Sequence, residues 1–318
     1  LILNEMLKSA KPLISTILMK LFNKILVTGA YPSAWTKGRI VSIFKSGDRY
    51  NPSNYRGITV ASSLGKLFNS ILNKRLNTFL DKNNSICDEQ IGFREKCRTT
   101  DHCFILKSII SKFKKSKKKL YIATVDLKKA FDSVWHEGLF FKLLKSGISK
   151  AFYNIIKAMY QQTYLSVQYK AELSREFPSN RGVRQGDNLS PTLFNIYLND
   201  IKNIFNTDCH PIKWNEMNLN FLMYADDLIL FSESKDGLQQ SLDNLKEYCD
   251  KWQLEVNTTK TKTMCINDEN CAPFLYDNFK LEIVKEFRYL GLLFNNSADD
   301  KTMKTDLYNN GLKLTSNH

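Results

Sequence analysis

Residues 220–231 read Asn-Phe-Leu-Met-Tyr-Ala-Asp-Asp-Leu-Ile-Leu-Phe, so the adjacent carboxylates Asp226 and Asp227 interrupt an apolar run. A buried carboxylate is costly, and two side by side repel each other. At a tight hairpin turn their oxygens suit a hard divalent cation. A plain exposed Asp-Asp turn fits the same pattern. Asp126 has a similar setting, because it closes the strand-like run Tyr121-Ile-Ala-Thr-Val125. Carboxylates at the ends of different strands can converge on a pair of metal ions that clamp the attacking and leaving oxygens of a phosphoryl transfer. A helix cap for the residues after it is the other reading of Asp126.

These acids need elements to position them. Apolar residues at three- and four-residue steps predict a helix over 1–30, stopped by Gly29 and Pro32. Short β-type runs flank a turn within 38–60, and an amphipathic helix follows over 63–82. Further helices are expected at 100–114, 137–161, 191–205 and 237–252, with strands at 120–126, 164–169 and 287–294. Ser190 before Pro191 is a good helix start. Strands and helices mix without a βαβα rhythm, which predicts an α+β class. The lysines between Lys112 and Lys119 read as a solvated loop that adds to a positive field.

The chain has 318 residues, and its 46 Lys+Arg against 32 Asp+Glu give a net charge of +14. That excess points to a polyanionic partner, nucleic acid first and an anionic membrane surface second. A 43% hydrophobic and 25% charged composition excludes wholesale disorder. The seven cysteines form no C-x-x-C pair and match no zinc spacing, so free thiols are expected. The best apolar stretch, 13–27, is short and broken by Lys20 and Lys24, so no membrane span is expected. The chain opens on Leu1 without a signal peptide and reads as a fragment of a longer frame.

Several blocks together resemble reverse transcriptases, and most closely those of non-LTR (LINE-like) retrotransposons. Tyr224-Ala-Asp226-Asp227 resembles their YxDD box. Asp126-Leu-Lys-Lys-Ala-Phe131-Asp132-Ser-Val134 resembles the first palm motif, and Arg181-Gly-Val-Arg-Gln185-Gly186-Asp-Asn-Leu-Ser190-Pro191 the intervening box. Tyr55-Arg56-Gly-Ile58 is similar to a fingers motif, with Gly57 where Pro is usual. Gln90-x-Gly92-Phe93-Arg94 and Phe287-Arg-Tyr-Leu290-Gly291 match further blocks, the latter resembling the primer-grip turn.

The resemblance implies a right-hand polymerase fold, with fingers at about 35–119 and 138–180 and a palm at about 120–137 and 181–294. The palm should be an antiparallel sheet backed by helices. A helical extension over 1–34 would precede the fingers, and 295–318 would begin a truncated thumb. The implied activity is RNA-directed DNA synthesis from an RNA template, a DNA primer and dNTPs. The implied cofactor is a pair of Mg²⁺ ions, with Mn²⁺ as a substitute. Asp126, Asp226 and Asp227 match the catalytic carboxylates, and the Leu127 carbonyl could add a metal ligand. Lys45 and Arg56 match fingers cations that meet the triphosphate, where a guanidinium suits bidentate contact. Gln185 and Gly186 match the turn beside the incoming base pair, and Lys260 matches a lysine proposed to protonate pyrophosphate. Phe131 matches a bulky residue beneath the nucleotide sugar. Each has a plainer reading: Lys45, Arg56 and Lys260 as solvated charges, Gln185 as a turn amide, and Phe131 as a core aromatic. A nuclear location is expected, with no membrane partner. The rival readings are an inactive or domesticated RNA-binding module of the same fold and a group II intron-type maturase.

Overall fold

The computed structural model describes residues 4–205, 207–214 and 217–298. The strands used below are β1 (Lys37–Phe44), β2 (Tyr55–Ala61), β3 (Leu120–Asp126), β4 (Tyr164–Tyr169), β5 (Phe221–Tyr224), β6 (Asp227–Ser232) and β7 (Lys262–Ile266). The helices are α1 (Lys11–Thr28), α2 (Ser63–Lys82), α3 (Thr99–Ser116), α4 (His136–Lys145), α5 (Lys150–Gln161), α6 (Ser190–Leu198) and α7 (Lys235–Lys251).

The chain divides into two units. One comprises 1–86 and 131–198, the other 87–130 and 199–318. These boundaries differ from the fingers-and-palm division expected above, because 87–119 falls with Asp126 and 181–198 falls with β1 and β2.

In the first unit the sheet runs β2-β1-β4 and then Glu172–Leu173, with Phe177–Pro178 also on β4. β1 is antiparallel to β2 and parallel to β4. Helix α1 ends where Gly29 takes a left-handed conformation (φ 69°) and its N–H returns to the Ile25 carbonyl, which only glycine does without strain. The predicted helix over 137–161 is two helices, because Gly147 (φ 77°) breaks it and Ser149 caps the second. The predicted helix over 191–205 starts at Ser190 and ends at Leu198, continuing as a 3₁₀ segment to Ile204.

The second unit is built on a sheet in the order Glu282–Ile283, β7, β3, β6, β5. Pairing is antiparallel except at the edge strand Glu282–Ile283. Strand β3 is apolar at consecutive positions because both of its faces are covered, as the burial of Leu120, Tyr121, Ile122 and Ala123 shows. On one face Leu106, Ile109, Ile110 and Phe113 of α3 join Leu120, Ile122, Ile229, Phe231, Met264 and Ile266 in one cluster. On the other face α7 packs on β6 and β3 through its buried Leu238, Leu242 and Leu245. The α+β class and the helix-backed antiparallel sheet are therefore as expected.

Two local expectations are corrected. The single strand expected over 287–294 is a hairpin, Glu286–Tyr289 against Leu292–Asn295, because Leu290 and Gly291 both turn through positive φ. The lysine run is not all loop: Lys112, Lys114 and Lys115 lie in the last turns of α3, where cations complement the carbonyl end of the helix. Lys112 donates to the Lys213 carbonyl at 3.1 Å. The expected thumb start falls, from residue 299 onward, outside the described residues. All seven cysteines are free. Among the described residues no helix is long and apolar enough to cross a membrane.

Candidate active site

In the second unit the sheet register brings the acids together. Asp126 ends β3 and Asp227 begins β6, and the two are direct partners across the antiparallel pair. Asp227 also pairs with Tyr224 across the two-residue loop Ala225–Asp226. Leu228, Ile229, Leu230 and Phe231 are buried in succession, so β6 is covered on both faces and Asp227 stands at its exposed first position.

Asp226, Asp227 and Asp126 form one negative cluster. Burial of its carboxyl group, followed by repulsion from Asp226 and Asp126, pushes Asp227 up from 3.8 to about 6. The side chain still meets solvent, so a cation can take the place of the proton. Lys260 Nζ lies 3.9 Å from Asp126 Oδ2, while its neighbour Lys262 pairs with Glu282 and donates to the Thr259 carbonyl at 2.8 Å. The two lysines of the Lys-Thr-Lys stretch thus point to different partners. The backbone after Asp126 is held by a short bridge, in which Asn257 N–H donates to the Asp126 carbonyl at 2.7 Å and Lys128 N–H to the Glu255 carbonyl at 2.7 Å. Neither bond uses the Leu127 carbonyl.

Hard carboxylate oxygens on opposed strands, at a net negative point, fit Mg²⁺ or Mn²⁺. Among the described residues no group of three or more His, Cys, Asp or Glu side chains is placed to hold a metal ion.

The other predicted residues fall in the first unit. Arg56 pairs with Ile43 in the β1–β2 hairpin, and Lys45 N–H donates to the Asn54 carbonyl at 2.9 Å just beyond it. Opposed residues share a face and the face alternates along each strand, so Lys45 and Arg56 lie on the same side of the hairpin. Both are exposed. The Gln185 carbonyl accepts from Thr59 N–H at 2.7 Å, which docks the Gln185–Gly186 turn on β2. Gly186 is at φ 103°, and a Cβ there would lie 3.1 Å from the Thr59 carbonyl oxygen, so this close approach needs glycine. Gln185 Nε2 donates to Asp132 Oδ1 at 3.0 Å. Phe131 is half-buried and stacks on the buried Phe194, with ring centroids 4.7 Å apart and planes 19° from parallel. Its carbonyl accepts from Val183 N–H at 2.8 Å.

A buried polar network supports this turn, and sequence reasoning assigned none of its members a role. Arg184 is 6% exposed and donates to the carbonyls of Trp35, Thr36 and Met159 and to Thr163 Oγ1. Asp187 accepts from Asn69 Nδ2 at 2.6 Å and from Leu189 N–H at 3.1 Å. Asn69 in turn accepts from Tyr31, whose hydroxyl burial holds protonated with a pKa near about 12. The available signal was the pair of charged residues, Arg184 and Asp187, flanking a glycine turn and followed by an apolar helix.

The family model described as reverse transcriptase (RNA-dependent DNA polymerase) matches residues 43–294. The chain is 30% identical over 298 residues to the Pol polyprotein of the type-2 retrotransposable element R2DM of Drosophila melanogaster, covering 90% of this chain and 28% of that protein. It is 26% identical over 281 residues to the RNA-directed DNA polymerase from the mobile element jockey of the same organism, covering 86% of this chain and 30% of that protein. It thus spans 28% and 30% of the length of these two relatives. Among solved structures, apo telomerase from Candida tropicalis truncated from its C-terminal domain aligns with a TM-score of 0.60 at 17% identity, over 90% of this chain and 59% of that one. This last likeness is one of fold.

Proposed function

The chain belongs to the reverse transcriptase (RNA-dependent DNA polymerase) family, and from that premise we propose that it extends a primer 3′-OH with dNTPs on an RNA template, as part of a non-LTR retrotransposon protein. The observation that carries the reading is the opposition of Asp126 and Asp227 across β3 and β6, with Asp226 on the adjoining turn. Enzymes of this family use divalent metal ions. Asp126 and Asp226, with Asp227 beside them and the Leu127 carbonyl, would hold two Mg²⁺ ions or their Mn²⁺ substitutes. When bound, these ions would neutralise the charge that develops on the transferring phosphoryl group.

In the proposed reaction the primer 3′-OH gives its proton to water as its oxygen bonds the α-phosphorus of the dNTP, the bond from that phosphorus to the α,β-bridging oxygen breaks, and pyrophosphate leaves with its electron pair. Catalysis of this kind is mostly positioning and charge stabilisation. Lys260 is suited to give a proton to the departing pyrophosphate, and its reach to Asp126 keeps its ammonium beside the acids. Lys45 and Arg56, exposed on one face of the hairpin, bind the triphosphate. The Gln185–Gly186 turn lies along the base pair, with Gln185 oriented by Asp132. Phe131 packs under the sugar and selects against a 2′-OH by clash, its ring fixed by Phe194. The +14 net charge supports nucleic acid as the partner of both strands.

Primer extension by the purified chain, on an RNA template with Mg²⁺ and dNTPs, tests the reading. Extension that disappears in Asp226→Asn, with primer–template binding retained, is the expected result. Equal extension by both proteins would overturn the assignment, and the absence of extension by the parent chain would favour the RNA-binding alternative.

A further inference from the structure

Ala225, the first residue of the Asp226 turn, has a left-handed backbone (φ 57°) although it carries a side chain. That conformation is one that L-residues rarely adopt, because the Cβ crowds the following carbonyl oxygen. Ala225 is also 4% exposed, so its N–H and C=O need partners inside the protein.

One side chain supplies both. Gln90 is fully buried; its Oε1 accepts from Ala225 N–H at 3.0 Å and its Nε2 donates to the Ala225 carbonyl at 3.2 Å. Gly92 N–H donates to the same Oε1 at 2.8 Å. The amide can stand only this way round, because an N–H must meet oxygen and a carbonyl must meet an N–H.

The backbone around Gln90 continues the pairing. Met223 N–H donates to the Glu89 carbonyl at 2.8 Å and Ile91 N–H to the Met223 carbonyl at 3.1 Å, so residues 89–91 run parallel along β5. The Gln90 side chain carries that pairing into the turn, where no backbone follows. Gly92 has to be glycine for this approach, since a Cβ would lie 2.2 Å from Ala225 N. Arg94 Nη1 ties the loop from behind, donating to the carbonyls of Cys87 and Gln90, each at 3.2 Å.

We propose that Gln90 is a positioning residue for the polymerase reaction: its amide fixes the Ala225–Asp226 turn and thereby the Asp226 carboxylate, and Gly92 is the glycine that lets it do so. The proposal rests on the polymerase reading of Asp226.

The test compares Gln90→Met, of similar length without hydrogen bonds, with the parent 318-residue chain. Hydrogen exchange at the Ala225 amide is read alongside single-nucleotide extension kinetics. In Gln90→Met, exchange at Ala225 should rise at least about tenfold relative to Ile229 and Leu230 of β6, since that amide loses its buried acceptor while the β6 amides keep theirs. The kcat should fall about 10- to 100-fold with the KM for dNTP within about twofold, the mark of an interaction that serves the transition state. Unchanged exchange at Ala225, unchanged kcat despite local exchange, or an equal rise across all of β6 would each overturn the proposal. If the parent chain extends no primer, the polymerase reading fails while the Ala225 exchange still decides whether Gln90 holds the turn.

Discussion

Two turns carry the functional reading, and they are held by different means. The Ala225–Asp226 turn joins two paired strands, and their pairing with β3 places Asp227 opposite Asp126. The Gln185–Gly186 turn joins no strands. It is docked by one backbone bond to Thr59 and braced on either side by Arg184 and Asp187, each anchored in a buried polar network. Where charge must sit at a fixed point, a sheet provides the frame and one buried amide, that of Gln90, closes the turn. Where a turn must present an amide and a bare backbone, buried hydrogen bonds take over, and they leave every member dependent on its partners.

The sharpest way to break the comparison is at the acids. Asp226→Asn keeps volume and removes one anionic oxygen, so extension should fall by roughly 10³-fold or more, with fold and primer–template affinity retained. Steady-state extension and a binding titration on the same preparation check it. The next largest effect belongs to Phe131. Replacing it with Val opens the space proposed for the sugar, and incorporation of rNTP relative to dNTP should rise by on the order of 100-fold. If Phe131 serves only to pack on Phe194, the variant should lose about 1–3 kcal/mol of stability with its sugar preference unchanged. Matched single-nucleotide insertion of rNTP and dNTP decides between the two.

Arg184 tests the other means of support. Arg184→Met removes four hydrogen bonds and leaves the carbonyls of Trp35, Thr36 and Met159 to be satisfied otherwise. Loss of a buried, charge-bearing network of this kind is expected to cost about 3–5 kcal/mol. Denaturant titration of the variant measures it. A loss below about 1 kcal/mol would mean that water replaces the guanidinium easily and that the turn does not depend on it.

The sheet-borne site was the legible one. The run into Asp126 and the run around Asp226-Asp227 announce themselves because carboxylates are out of place in buried strands, and strand pairing is the simplest way to bring them together. The helix Ser63–Lys82 was equally readable from its apolar stripe. Positions such as Arg184, Asp187, Asn69 and Gln90 were not, because a buried polar side chain has no periodicity. What marks it is the partner it meets, often a backbone atom far away in sequence, as with Gln90 and Ala225. Helix breaks inside apolar runs were missed for a related reason. Gly147 and the Leu290–Gly291 turn act through positive φ, which hydrophobic spacing does not register.

The smallest effect concerns pH, and it separates the acid cluster from every other charged group near the turns. Asp227 sits at about 6 in the folded chain against an ordinary 3.8, chiefly from burial and then from Asp226 and Asp126. A folded value above the unfolded one means that the folded state binds the extra proton. Asp227 therefore adds stability while it is protonated, and that contribution is lost as the pH rises from about 4 through 6. With metal withheld, the melting temperature of the chain should decline across that interval more steeply than that of Asp227→Asn, which has no charge to bury. Above pH 6 the variant should be the more stable of the two. Mg²⁺ reverses the sign, because a bound cation favours the ionised carboxylate. It should raise the melting temperature of the parent chain at pH 7.5 and do so less at pH 5, where protons compete for the same oxygens. Melting curves with and without Mg²⁺ at several pH values check both halves. Parallel pH profiles for parent and variant would remove Asp227 from the pH dependence.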